Sequence, residues 1–203
     1  GAAIRADAYG YAYPGNPAMA AKLAWKDASF THNRTGIYGT MFIAAAIACA
    51  QVLDDRMEVF NIALQYVPQR SRFYERVSAC ISFVNQSDNW EGAYSLINNK
   101  FGEYGHCRIY QEIGMLVNTL KFAKDVGNGI CIQVSQGADT DSFGATAGSL
   151  LGAYFGPGYL HSKWIDPFND DIHSGLAWFF ERSIKKLSQR MGNLPIKMSQ
   201  INL

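Results

Sequence analysis

The segment "GADTDSFG" places two carboxylates and a hydroxyl, Asp139, Asp141 and Ser142, within four residues. Side chains two apart point to different sides of a regular helix, so these groups converge only in a turn that leads into one. Folded that way they offer three hard oxygen donors to one point, as alternate residues of calcium loops do, and suit Mg2+, Mn2+ or Ca2+. The commoner role of such residues is to cap a helix N-terminus and face its dipole. The spacing permits both roles.

Behind the aspartates, Gly144, Gly148, Gly152 and Gly156 recur every four residues along an otherwise helical pattern. Each interior glycine costs a helix about 1 kcal/mol against alanine. Ala145 and Ser149 widen the same strip. The strip predicts a flat groove that a second helix or a ligand presses into.

The elements that must hold this segment read as helices throughout. A turn and a Pro start predict a helix from about Pro17 to Ser29, and Thr35 is placed to cap an apolar, alanine-rich helix reaching Leu53. Periodic stretches flank Pro68, and "NWEGAYSLINNKF" and "IYQEIGMLVNTLKFAKD" each predict a further helix. "GICIQVSQG" is short enough for a strand or a buried helix, and its helical neighbours favour helix. "DDIHSGLAWFFERSIKKLSQRM" reads as a closing helix with basic residues toward its end, followed by a tail over 192–203. Residues 1–203 are thus expected to form one all-α unit.

Bulk properties narrow the function. With 18 Lys and Arg against 17 Asp and Glu, and no long run of either sign, the chain lacks the electrostatic footprint of a nucleic-acid binder. The most apolar stretch, Gly36 to Ala50, is shorter than the roughly 20 residues a membrane span needs. Cys49, Cys80, Cys107 and Cys131 form no C-x-x-C pair and read as free thiols of a reducing compartment. No secretory signal opens the chain, so a cytoplasmic location is expected.

Taken with its surroundings, "GADTDSFGATAGSLLGAYFGPGYLHSKW" resembles the C-terminal metal-binding motif of the ADP-ribosylglycohydrolase family, which includes the dinitrogenase-reductase-activating glycohydrolases. That motif is G-x-D-T-D with Thr or Ser next, a small-residue helix ending in G-A-Y-x-G, and a Trp a few residues on. "GAAIRADAYGYAYPGNP" is similar to the family's G-A-A-M-R segment, and "LAWKDASFTHNRTGIYGTMFIAAAIA" to its T-H loop and alanine-rich helix. The resemblance implies an all-α fold with two Mg2+ ions (Mn2+ being possible) that cleaves ADP-ribose from protein side chains or related compounds. It implies Asp139 and Asp141 as catalytic residues, Asp139, Asp141 and Ser142 as metal ligands, and His32, Arg5 and Gly137 as substrate-binding residues. Arg5 reads equally as half of a structural ion pair. A non-catalytic, crystallin-like relative that binds ADP-ribose is the alternative.

In the family "GAAIR" lies mid-chain, and the preceding part supplies a second ligand cluster of the Thr/Ser-Asp-Asp type. The candidate replacement here, Asp54 and Asp55 in "LDDR", lacks the Thr and reads as a solvated helix end. Three donors hold Mg2+ weakly. The expectation is therefore little activity for this polypeptide alone, with an exposed apolar face that self-associates or meets a chain supplying the missing part.

Overall fold

The computed structural model describes residues 1–200, and among them the regular structure is eleven α-helices with several 3-10 turns and no strand. The N-terminal helices are α1 (Asp7–Ala12), α2 (Pro17–Ala28), α3 (Thr35–Ala50) and α4 (Arg56–Leu64). The middle set is α5 (Arg72–Gln86), α6 (Trp90–Phe101), α7 (Ile109–Phe122), α8 (Val126–Ser135) and α9 (Thr140–Phe155). The last are α10 (Ile184–Gly192) and α11 (Leu194–Ser199), which lie against α1.

Helix α3 is the first structural axis. It is buried from Phe42 to Ala50, because its alanines let α1, α2, α4 and α9 approach from different sides. Phe42 stacks on Phe60 of α4 at 6.0 Å between centroids and meets the edge of Phe73 of α5 at 5.9 Å. One close crossing is with α1, where a Cβ on Gly10 would sit 2.6 Å from the Ile47 Cβ and 2.9 Å from the Ala44 carbonyl oxygen.

Helix α7 is the second axis, in contact with α5, α6, α8 and α9. Helices α8 and α9 pack as an antiparallel pair joined by the short loop 136–139. The glycine strip contributes to this pair in part: Gly144 faces Val134 and Gly148 faces Ile130, whereas Gly152 meets nothing within 4 Å and Gly156 ends the helix at φ 77°. The tightest approach comes from α8 instead, where Leu151 Cδ1 fills the place of a Gly129 side chain at 2.4 Å. At the far end of the pair, Arg56 donates to the carbonyls of Leu120, Lys121 and Ala123 and lies over the rings of Tyr154 and Phe155. One guanidinium thus closes the C-terminus of α7 and the end of α9 together.

The helix expected for "GICIQVSQG" is α8, and the predicted starts and ends of α2, α5, α6 and α7 match within a few residues. Two local expectations differ. The closing helix starts only at Ile184, since Ser183 caps it and residues 171–183 form an irregular loop closed by Ile172 N–H donating to the Arg182 carbonyl. Leu176, Trp178 and Phe180 stand exposed on that loop. Thr35 does not cap α3: Arg34 holds the cap position, with φ 42°, and the Thr35 hydroxyl pairs with the Tyr110 hydroxyl. Asp55 is the solvated helix end expected, at the N-cap of α4, where it accepts from the amides of Met57 and Glu58. Of the two readings of the tail, loose or packed as an appendage, the described residues show the second, α11 lying against α1; residues 201–203 lie outside the described part.

Gly10→Ala forces two helix backbones apart at a carbonyl that cannot step aside, so it is expected to destabilise the fold by about 1–3 kcal/mol. Chemical unfolding of the two chains checks this.

Candidate functional site

Asp139 occupies the N-cap position of α9, yet its side chain accepts no capping hydrogen bond from the helix. Capping therefore does not consume the carboxylate. The backbone delivers it by a left-handed turn, Gly137 at φ 79° followed by Ala138 at φ 63°. No atom would meet a Cβ on Gly137 within 4 Å, so glycine is there for its dihedral angles, ending α8 and reversing the chain. Asp141 and Ser142 follow in the first turn of α9, Asp141 exposed and Ser142 half-buried. Hydrogen bonding with the Asp139 side chain, then with the amides of Ser142 and Asp141, holds the Asp141 carboxyl below its usual range. Two carboxylates this close repel each other when both are ionised, and a cation between them relieves that repulsion.

The loop is anchored from beneath by Gln136, which is buried. Its Nε2 donates to the Thr119 hydroxyl at 3.0 Å and to the Met115 carbonyl at 3.2 Å, while its Oε1 accepts from Asn118 Nδ2 at 2.8 Å. Asn118 also donates to the Trp90 carbonyl, and Thr119 donates to Gln133 Oε1 at 2.9 Å. Each of these groups would cost about 1–3 kcal/mol if left unpaired, so the amide network fixes where the Asp139 loop leaves α8.

From α7 a third carboxylate meets the loop. Glu112 is only 4% exposed, and one of its oxygens lies within 4.8 Å of both an Asp139 carboxylate oxygen and Cys107 Sγ. Its Oε1 is buried without a hydrogen-bond partner. Burial raises the Glu112 carboxyl to about 7, the Asp139 charge adding to the effect and Arg108 partly offsetting it. Glu112 was not singled out from sequence. The available signal was the spacing of Gln111 and Glu112 from Asn118 and Thr119, seven residues in each case, which puts four polar residues on one face of an apolar helix.

The other sequence candidates form a second cluster. Arg5 pairs with Asp27 at 2.8 Å and donates to the Thr31 hydroxyl at 2.8 Å. His32 Nε2 accepts from the Ala2 amide at 3.2 Å, which places the ring proton on Nδ1, 2.8 Å from the same Thr31 hydroxyl. Desolvation is the largest cause lowering the His32 pKa. The cluster fixes the turn Ala2–Arg5, which packs against α3 and α9. The structure thus brings Gly137, Asp139, Asp141 and Ser142 together with Glu112. It joins Arg5 and His32 to each other through Thr31. Asp54 and Asp55 are exposed at the start of α4, Asp54 accepting from the Tyr154 hydroxyl through its carbonyl.

A family model described as ADP-ribosylglycohydrolase matches residues 1–192, and the chain belongs to that family of glycohydrolases. No curated protein and no solved structure matches the chain. No helix among the described residues is long and apolar enough to cross a membrane.

The raised Glu112 pKa carries a stability consequence with a definite sign. Folding favours the protonated carboxyl, so its contribution is complete below the ordinary value of 4.5 and is lost as pH rises toward about 7. Metal-free chain is expected to lose on the order of 2 kcal/mol between pH 4.5 and 8 through this group. Glu112→Gln should remove that slope, read from denaturation midpoints at both pH values.

Proposed function

We propose that the chain acts as a Mg2+-dependent hydrolase that removes ADP-ribose from modified protein side chains or related ADP-ribosyl compounds. One observation carries the reading: Asp139, Asp141 and Ser142 share one turn, with the Asp139 carboxylate unspent on its own helix, inside a chain of a glycohydrolase family.

The donor set fits the ion. Two carboxylates and a hydroxyl are hard oxygens, and the adjacent negative charges of Asp139 and Asp141 are relieved when a divalent cation binds between them. Bound Mg2+ would hold ribose hydroxyls and a water, and would lower that water's pKa. The chain's own residues do the rest. Gln136 and its amide partners keep the loop still, so the ligands need little reorganisation on binding. Asp139 and Asp141, as the catalytic carboxylates, orient the water and accept its proton near the C1″ bond. In this reading Gly137 lets the backbone approach the substrate, while His32 and Arg5 hold the Ala2–Arg5 turn at the rim.

Three oxygens leave octahedral positions open. Further oxygens come from the substrate and from protein outside these donors, either a second copy or a chain bearing another acidic cluster. The four free cysteines suit a reducing, cytoplasmic setting.

Release of ADP-ribose from an ADP-ribosylated protein tests this, with any added partner held constant. Asp139→Asn and Asp141→Asn should each lower Mg2+-dependent turnover by about 100-fold or more, given that groups merely behind metal ligands are worth roughly 10–100-fold. Turnover that survives chelation contradicts the proposal. Metal-dependent binding of ADP-ribose without release would make the chain a non-catalytic binder.

A further inference from the structure

Cys107, Glu112 and Asp139 come from two different loops and a helix, and their donor atoms lie within 4.8 Å of one another. Two atoms 4.8 Å apart can each lie about 2.4 Å from one point, close to the bond lengths of zinc to sulfur and carboxylate oxygen. Glu112 is 4% exposed, and its unpartnered Oε1 lacks the hydrogen bond that a buried carboxylate requires. The thiol is held in register by Gln111, whose Nε2 donates to the Gly105 carbonyl and ties the Cys107 loop to α7.

We propose that Cys107, Glu112 and Asp139 form a binding site for a thiophilic divalent cation of the Zn2+ class, with one thiolate and two carboxylates as protein ligands. A thiolate favours Zn2+ or Co2+ over Mg2+, and three protein donors leave a fourth position for water. Binding exchanges protons for metal: the thiol loses its proton to solvent as the metal–sulfur bond forms. Asp139 is also a proposed Mg2+ ligand, so occupancy by Zn2+ competes with the Mg2+-dependent reaction. The site itself does not require the chain to be a hydrolase.

Co2+ is the probe, because a thiolate ligand gives it a charge-transfer absorption that oxygen ligands do not. The unaltered chain should develop that band at one equivalent, and Cys131→Ser, which removes the other exposed thiol, should keep it. Cys107→Ser should abolish the band. Glu112→Gln, checked for folding by circular dichroism, should weaken Co2+ binding about tenfold or more. Absence of the band, or its survival in Cys107→Ser, overturns the proposal. Asp141→Asn separates the two readings: it should impair Mg2+-dependent turnover while leaving the Co2+ band in place.

Discussion

Ten consecutive residues of α7, Gln111 to Leu120, are buried, and four of them bring polar side chains into the interior. The Asn118 amide donates to Gln136, and Thr119 pairs with Gln133 of α8 and with Gln136 at its end, and this pairing determines where α8 ends and the Asp139 loop begins. A buried amide network has few acceptable geometries, because any shift strands a donor or acceptor. The site inherits that rigidity: Gln136 is satisfied in the core, Gly137 and Ala138 reverse the chain, and Asp139 emerges three residues after the anchor.

The other end of the same face of α7 is left unsatisfied. Glu112 places a buried carboxylate against Asp139 with Oε1 unpaired, and the cost of that arrangement appears as its raised pKa. Carboxyl groups crowded together in this way are typical of places where a cation or a reacting group will sit. The fold meets the cost with apolar packing elsewhere, chiefly around α3, where alanines and Gly10 allow helices to approach closely.

Most of the helices were legible because their apolar positions recur at helical spacing and their boundaries carry Asn, Asp, Ser or Pro, as at Asn16, Ser71 and Asn89. The loop at 171–183 was not, since the run of large apolar residues that includes Leu176, Trp178 and Phe180 reads as part of a buried element, and the chain leaves these three exposed. The ligand triplet at Asp139, Asp141 and Ser142 was visible because it is contiguous. Glu112 and Cys107 were not, because their meeting with Asp139 depends on how α7 sits against α9, which no local pattern encodes. The glycine strip drew attention to α9, while the closest helix contact was made by Gly129 on its neighbour.

The central claim, that the Asp139 turn is a cation site and not a helix cap, is tested most directly by anomalous diffraction from crystals of the chain grown with Mn2+ in place of Mg2+. The account predicts an anomalous peak at bonding distance from Asp139, Asp141 and Ser142. Electron density showing the Asp139 carboxylate turned onto the amides of α9, with no Mn2+ beside it at saturating concentration, would contradict it.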